Sequence, residues 1–302
     1  MIRLAVRVAA EQAEMVLAEL LELAPGGVEE LEIAPDTIEY AVYGAPGELP
    51  SLPDLRAVAG EALVEISTTE VAEDWHERWK QFHRPILVSP PVGCLQTLPA
   101  LHVRPPWEAP SEPRDAPVRE IIIDPGQAFG TGAHATTRLC LELLLELTCG
   151  EAARGPLLDV GTGSGVLAIA AAALGYEPVL GLDHERESVH AASENALVNG
   201  VQIEVRRFEL RSQPLPWIEG PTAPDRPLVV LANLLRPLLL ELAATIPSAP
   251  AHMIISGLLC EEADEVAAAF VQRLGMHERL RRSGGEWAAV WLTAAGGSTS
   301  LD

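Results

Sequence analysis

Residues 159–165 read Asp-Val-Gly-Thr-Gly-Ser-Gly, directly after an apolar run and directly before a helical pattern. Glycines in such a corner permit a tight turn and let a ligand come close to backbone amides. Asp183 stands at the end of the next apolar run, 22 residues after Gly161. A carboxylate there can accept hydrogen bonds from both hydroxyls of a ribose. A glycine-rich corner alone is also what any strand-to-helix turn uses. The strand, the helix and Asp183 taken together point to a nucleotide-like ligand. A dinucleotide fingerprint needs a third glycine at its sixth position, and that position is Val166, so no pyrophosphate-binding helix start is specified. The four cysteines (Cys94, Cys140, Cys149, Cys260) contain no C-x-x-C pair and the eight histidines have no ligand spacing. Neither a metal site nor a disulfide framework is expected.

The elements around these residues alternate. From residue 118 onward, strands are expected at 119–123, 157–160, 179–182, 201–208, 228–232 and 253–256. Helices are expected at 134–148, 166–174, 186–198, 234–245 and 261–273, and a final hairpin at 277–282 and 286–292 turns at Gly284-Gly285. Alternating β and α segments make a mostly parallel sheet with helices on both faces. The first 70 residues read differently. A strand at 2–8, a helix at 11–23, strands at 28–33 and 37–43, a helix at 51–62 and a strand at 63–69 give βαββαβ, the ferredoxin-like order. Between them, 71–84 has helical spacing, and 85–118 holds nine prolines and no long period. The expected organisation is a small ferredoxin-like α+β domain at 1–70, a linker helix and proline-rich connection at 71–117, and an α/β Rossmann-like domain at 118–302.

A chain of 302 residues suggests about two domains. At 48% hydrophobic content it can bury a core. No run of 18 or more uncharged apolar residues exists, and the N-terminus lacks a signal-type apolar segment, so a cytoplasmic location without membrane association is expected. The net charge of −22 argues against strong direct binding of nucleic acid. Residues 1–70 carry fourteen Asp and Glu against three arginines and no lysine, half of that net charge. Such a surface either simply keeps the protein soluble or docks a basic partner.

A second motif narrows the class. Residues 124–137 read Asp-Pro-Gly-Gln-Ala-Phe-Gly-Thr-Gly-Ala-His-Ala-Thr-Thr. Together with 79–85, the V-R-P-P-W-E of 103–108, the V-V-L-A-N-L-L of 229–235, the I-S-G-L-L of 255–259 and Gly285-Glu286-Trp287, this resembles the ribosomal protein L11 methyltransferase family. The G-x-G-x-G loop resembles the first motif of class I methyltransferases. The resemblance spans nearly the whole chain. It implies S-adenosyl-L-methionine as cofactor, with Thr137, Gly161, Asp183 and Asn233 as contacts, and Phe129, Thr131, Asp159 and Gly163 close by. It further implies methylation of lysine ε-amines and the N-terminal α-amine of ribosomal protein L11, with Asn233 at the acceptor and the acidic N-terminal domain as the docking surface. His134-Ala135 stands where the family usually has His-Pro, and Thr162 where Cys is frequent.

Each position also has a structural reading. Thr136 or Thr137 can cap the following helix, as can Asn233 the one after it. Phe129 can be core, and His134 a structural hydrogen-bonder. Three other functions stay open at this point: a Rossmann dehydrogenase on the glycine loop alone, a lysine methyltransferase acting on a different basic protein, and a non-catalytic module that binds a ribosomal protein.

Overall fold

The computed structural model describes residues 2–13, 16–17, 20, 28–34, 36–44, 49, 55, 59–70, 84–94, 97–112, 116–124, 134–150, 154–216 and 227–294. The chain divides into two compact units, Met1–Gln81 and Phe82–Asp302.

In the first unit, strands β1 (Ile2–Ala9), β2 (Glu29–Ala34), β3 (Thr37–Gly44) and β4 (Leu63–Glu70) form one sheet in the order β2-β3-β1-β4. Every neighbouring pair is antiparallel. This is the ferredoxin-like strand order; the helices expected at 11–23 and 51–62 fall partly outside the described residues. Side chains on a strand alternate between faces. Leu4, Val6 and Val8 therefore meet Tyr40 and the apolar stripe of Ala13, Val16, Leu20, Leu55 and Ala59. Arg3 and Arg7 fall on the opposite face, where each donates to the Glu39 carboxylate at 2.6 Å. The Arg3 hydrogen bond, reinforced by Arg7, holds Glu39 below the usual carboxylate range although burial opposes it. Two of the three arginines of residues 1–70 thus pair within the domain.

The second unit begins within the expected connection. Strand β5 (Ile86–Val88) runs antiparallel to β6 (Ala100–Arg104), which runs parallel to β7 (Val118–Ile122). These strands lie in proline-rich sequence that shows no long period, so the sheet was legible only at its last strand. Residues 71–83 lie outside the described residues. Glu120 fastens the intervening prolines to this sheet. It accepts from Ser111 (N 2.9 Å, Oγ 2.6 Å), from Arg104 Nε at 2.8 Å, and pairs with His102 Nδ1 at 3.0 Å. Arg104 also reaches the Glu108 carbonyl at 2.7 Å. Burial works to raise the Glu120 pKa, but the Ser111, Arg104 and His102 hydrogen bonds outweigh it and hold the group at about 2.

The main sheet has seven strands: β8 (Leu157–Val160), β9 (Val179–Asp183), β10 (Glu204–Arg207), β11 (Val229–Asn233), β12 (His252–Leu259), β13 (Met276–Gly284) and β14 (Trp287–Ala294). Their order is β10-β9-β8-β11-β12-β14-β13. The first five are parallel and the last two antiparallel. Helices α1 (Ala135–Gly150), α2 (Val166–Ala173), α3 (Arg186–Val198), α4 (Arg236–Thr245) and α5 (Ala263–Leu274) accompany it. Both sheet faces are covered, so alternate residues of β11 enter different cores. Val229 and Leu231 pack with α1 and α2, and Val230 and Ala232 with α4 and α5. The two late antiparallel strands differ from the dinucleotide-binding order 3-2-1-4-5-6, which removes the dehydrogenase reading.

One expectation is corrected. Cys94 and Cys149 form a disulfide, with Cα atoms 5.5 Å apart. The pair joins the segment after β5 to the end of α1. Its partners are 55 residues apart in sequence, so no local cysteine spacing announces it. Cys140 is a buried free thiol and Cys260 an exposed one.

Candidate active site

Strand order reverses beside β8, with β9 on one side and β11 on the other. Open α/β sheets bind ligands outside the carboxyl ends of the strands at such a point. Two adjoining cavities lie there, of about 410 and about 450 Å³. They share Gly161, Asp183, His184, Leu234, Leu235 and Leu238 and form one cleft.

The loop after β8 is held from three sides. The amides of Gly161 and Thr162 donate to the Leu182 carbonyl at 2.8 and 2.9 Å. Gly163 N donates to Asp183 Oδ2 at 2.8 Å, and Glu185 N to Oδ1 at 3.1 Å. The carboxylate at the tip of β9 is thereby fixed while still lining the cleft. Gly161 has φ +77°, and a side chain on it would strike Leu234. Asn195 on α3, which sequence reasoning passed over, completes the frame. It donates to the Ser164 carbonyl at 2.9 Å and accepts from Asp124 N at 2.9 Å. It therefore ties the glycine loop to the first residue of the 124–137 motif.

Beneath the loop lies a buried polar cluster. Asp159 Oδ2 accepts from Thr162 Oγ1 at 2.7 Å. Asp159 Oδ1 and Thr137 Oγ1 are buried without a hydrogen-bond partner. Buried polar atoms are normally satisfied, so this pair marks a place for a polar group that the chain itself does not supply. Burial pushes the Asp159 carboxyl up to about 7 against the pull of the Thr162 hydroxyl and the Ala168 backbone amide, and Asp183 nearby adds to the rise. Cys140, on the neighbouring turn of α1, is driven by burial up to about 12.

The far end of the cleft is lined by His134, Thr136, Asn233, Leu235, Gly257 and Trp287. Asn233 is the last residue of β11 and pairs with Ser256 of β12. It does not cap the next helix, whose N-cap position is Leu235 and carries no side-chain cap. His134 and Trp287 meet edge to face with centroids 4.9 Å apart. His134 Nδ1 lies 2.8 Å from Thr136 Oγ1 and accepts from Thr136 N at 3.4 Å. His134 therefore serves as the structural hydrogen-bonder at the start of α1.

Of the residues expected from sequence, Gly161, Gly163, Asp183 and Asn233 line one cavity, and Thr137 and Asp159 lie buried beside it. Phe129 and Thr131 lie outside the described residues. His184, Leu238 and the Phe208–Arg211 wall of the other cavity were not anticipated. Trp287 and Gly257 had only their place in short C-terminal motifs to mark them.

A 3-2-1-4-5-7-6 sheet with a glycine loop after its first strand and an acidic residue closing its second is the Rossmann-like architecture of class I methyltransferases. The family model described as ribosomal protein L11 methyltransferase (PrmA) matches residues 54–294. A ribosomal protein L11 methyltransferase of Syntrophotalea carbinolica is 39% identical over 272 residues, covering 88% of this chain and 78% of that protein. One of Geobacter sulfurreducens is 38% identical over 280 residues, covering 87% and 83%. The crystal structure of a ribosomal protein L11 methylase from Lactobacillus delbrueckii subsp. bulgaricus superposes with a TM-score of 0.54 at 28% identity, over 69% of this chain and 98% of that one. The chain belongs to the ribosomal protein L11 methyltransferase family. It is a methyltransferase, and its cofactor is S-adenosylmethionine. Among the described residues, no helix is long and apolar enough to cross a membrane.

Proposed function

We propose that this chain methylates ribosomal protein L11 in the cytoplasm, on lysine ε-amines and the N-terminal α-amine. The observation that carries this reading is the cleft itself. Phe208–Arg211 line one end, and Asn233, His134 and Trp287 line the other, with Gly161, Asp183 and Leu234 shared between them. That arrangement fits a cofactor with a ribose and a cationic amino acid end lying beside an acceptor pocket. The two unpartnered buried oxygens of Asp159 and Thr137 fit the same group.

In this reading Asp183 accepts from the ribose hydroxyls, and the Phe208–Arg211 wall flanks the base. Asp159 and Thr137 face the amino acid end; Phe129 and Thr131 are assigned to the cofactor by the resemblance to the family alone. When bound, S-adenosylmethionine supplies a sulfonium methyl that is already electrophilic. The chain's task is to deliver a neutral amine in line. An aqueous lysine has a pKa of about 10.4. The leucines and Trp287 around the acceptor end disfavour the ammonium and lower that value. Asn233 Oδ1 accepts an N–H of the amine and orients its lone pair. Bringing nitrogen and methyl to roughly 3–3.5 Å supplies much of the remaining acceleration. His134 Nδ1 is occupied by Thr136, so catalysis rests on positioning, without a dedicated base. The acidic N-terminal domain docks the basic substrate. Its arginines Arg3 and Arg7 are paired internally with Glu29, Glu39 and Glu65, which leaves the acidic residues beyond these three to face a partner.

Mass spectrometry of purified L11 incubated with the enzyme and S-adenosylmethionine tests this. Methyl increments on lysines and the N-terminus, greatly reduced with Asp183→Ala at limiting cofactor, are expected. Cofactor binding without methylation of L11 would shift the substrate to another basic protein. Binding of L11 without any transfer would favour a non-catalytic module.

A further inference from the structure

The acceptor end of the cleft depends on a residue that touches neither cofactor nor amine in the reading above, on which this inference rests. Strand β12 pairs regularly with β14 up to Ser256 opposite Ala289, then resumes with Leu258 opposite Ala288. Gly257 is the extra residue, a β-bulge, placed immediately after the last β11–β12 pair, Asn233 with Ser256. Bulges re-aim the chain beside them and are frequent next to active sites. Gly257 has φ +84°, in the left-handed region that side chains rarely adopt. The backbone of Leu234 lies directly against it. A Cβ on Gly257 would stand 2.8 Å from the Leu234 carbonyl carbon and 3.0 Å from its nitrogen, and closer still to its oxygen. Leu234 N also donates to the Ser256 carbonyl at 3.0 Å.

Leu234 is therefore held at two points. Its backbone rests on the bulge at Gly257, and its side chain rests on Gly161 in the cofactor loop, where a Cβ would lie 3.3 Å from Leu234 Cγ and closer to Cδ2. We infer that Gly257 is a positioning residue for methyl transfer: its bulge seats the Leu234 backbone and thereby sets where Asn233 presents its carboxamide. The side chain of Leu234 serves the cofactor loop instead. The two contacts divide the labour between acceptor geometry and cofactor binding.

The division gives opposite signatures. In Gly257→Ala, the new Cβ meets backbone that cannot rotate away, so the turn after Asn233 must shift. A displacement on the order of 1 Å costs about a hundredfold in kcat, while affinity for S-adenosylhomocysteine stays within about threefold by calorimetry. In Leu234→Ala, the backbone contact survives and the packing on Gly161 is lost. Cofactor affinity then falls about tenfold or more, and kcat at saturating cofactor changes only a few-fold. A second readout does not require any substrate. The Asn233 side-chain amide resonance of 15N-labelled protein, assigned by its absence in Asn233→Ala, shifts in Gly257→Ala and stays near its native position in Leu234→Ala. This separates failure of the positioning idea from failure of the substrate assignment. Native kcat in a folded Gly257→Ala protein, or parallel loss of kcat and cofactor affinity in it, would overturn the inference. Should Gly257→Ala not fold, Leu234→Ala decides alone: a large loss of kcat with native cofactor affinity would overturn the partition.

Discussion

Of the residues proposed for the cofactor, Asp159, Gly161, Gly163 and Asp183 come from one strand–helix–strand unit, whereas those proposed around the acceptor, His134, Asn233, Gly257 and Trp287, come from four separate segments. The first group is tied together by backbone amides and fixed carboxylates, with Gly163 N on Asp183 as the link. The second is brought together only by how distant strands and helices pack. A local motif is enough to specify a loop that binds through its backbone. A pocket assembled from remote segments is specified only by the whole sheet. Changes at the two ends should therefore fail in different ways.

The largest effect is expected from Asn233→Ala. Removing the group that orients the amine lowers kcat by about 10²–10³-fold, the range seen when one preorganised polar contact at a reacting centre is lost. Affinity for S-adenosylhomocysteine, read by calorimetry, stays nearly native. Comparable losses in both would mean that Asn233 belongs to the cofactor end, and the contrast between the two ends would break there. Asp183→Ala should do the reverse. Loss of charge-assisted hydrogen bonds to a ribose costs about 1.5–3 kcal/mol, or roughly 10- to 100-fold in cofactor affinity. At saturating cofactor, kcat should recover most of its native value. Failure to recover would show that the β9 carboxylate also shapes the acceptor geometry.

The same contrast accounts for what the amino-acid sequence disclosed. The βαββαβ order of the first domain and the alternating elements after residue 118 follow from periodicities that are local. So does the Gly161–Asp183 unit. The meeting of His134 with Trp287, the bulge that lets Gly257 accept Leu234, and the Cys94–Cys149 bond all join segments far apart in the chain, and no local period encodes them. Strands β5 and β6 are hard to place from the sequence for another reason. Each is short, and prolines interrupt the alternation on either side. Asn195 looked like one more polar residue on α3, and only the fold shows that it bridges Ser164 and Asp124.

A smaller and more pointed test concerns protons at the cofactor end. Burial raises the Asp159 carboxyl to about 7, so near neutral pH the cofactor-free enzyme holds a proton there part of the time. A raised carboxyl favours folding at low pH, and that contribution is lost as pH climbs through the folded pKa. A cationic amino acid end placed beside the unpartnered Oδ1 stabilises the carboxylate, so binding should expel the proton. Affinity for S-adenosylhomocysteine then rises with pH below about 7, by at most about tenfold per pH unit, and levels off above it. Asp183 from β9, Cys140 from α1 and Thr162 from the loop face the same carboxyl, and His134 and His184 line the adjoining cleft. Asp159→Asn is what assigns the effect to this carboxyl. Calorimetry at pH 6 in buffers of different ionisation enthalpy should register proton release in the native enzyme and much less in Asp159→Asn. Equal release in both would place the titrating group elsewhere in the cleft. Absence of release in both would mean that Asp159 is already ionised before the cofactor arrives, with a polar partner supplied by solvent at Oδ1.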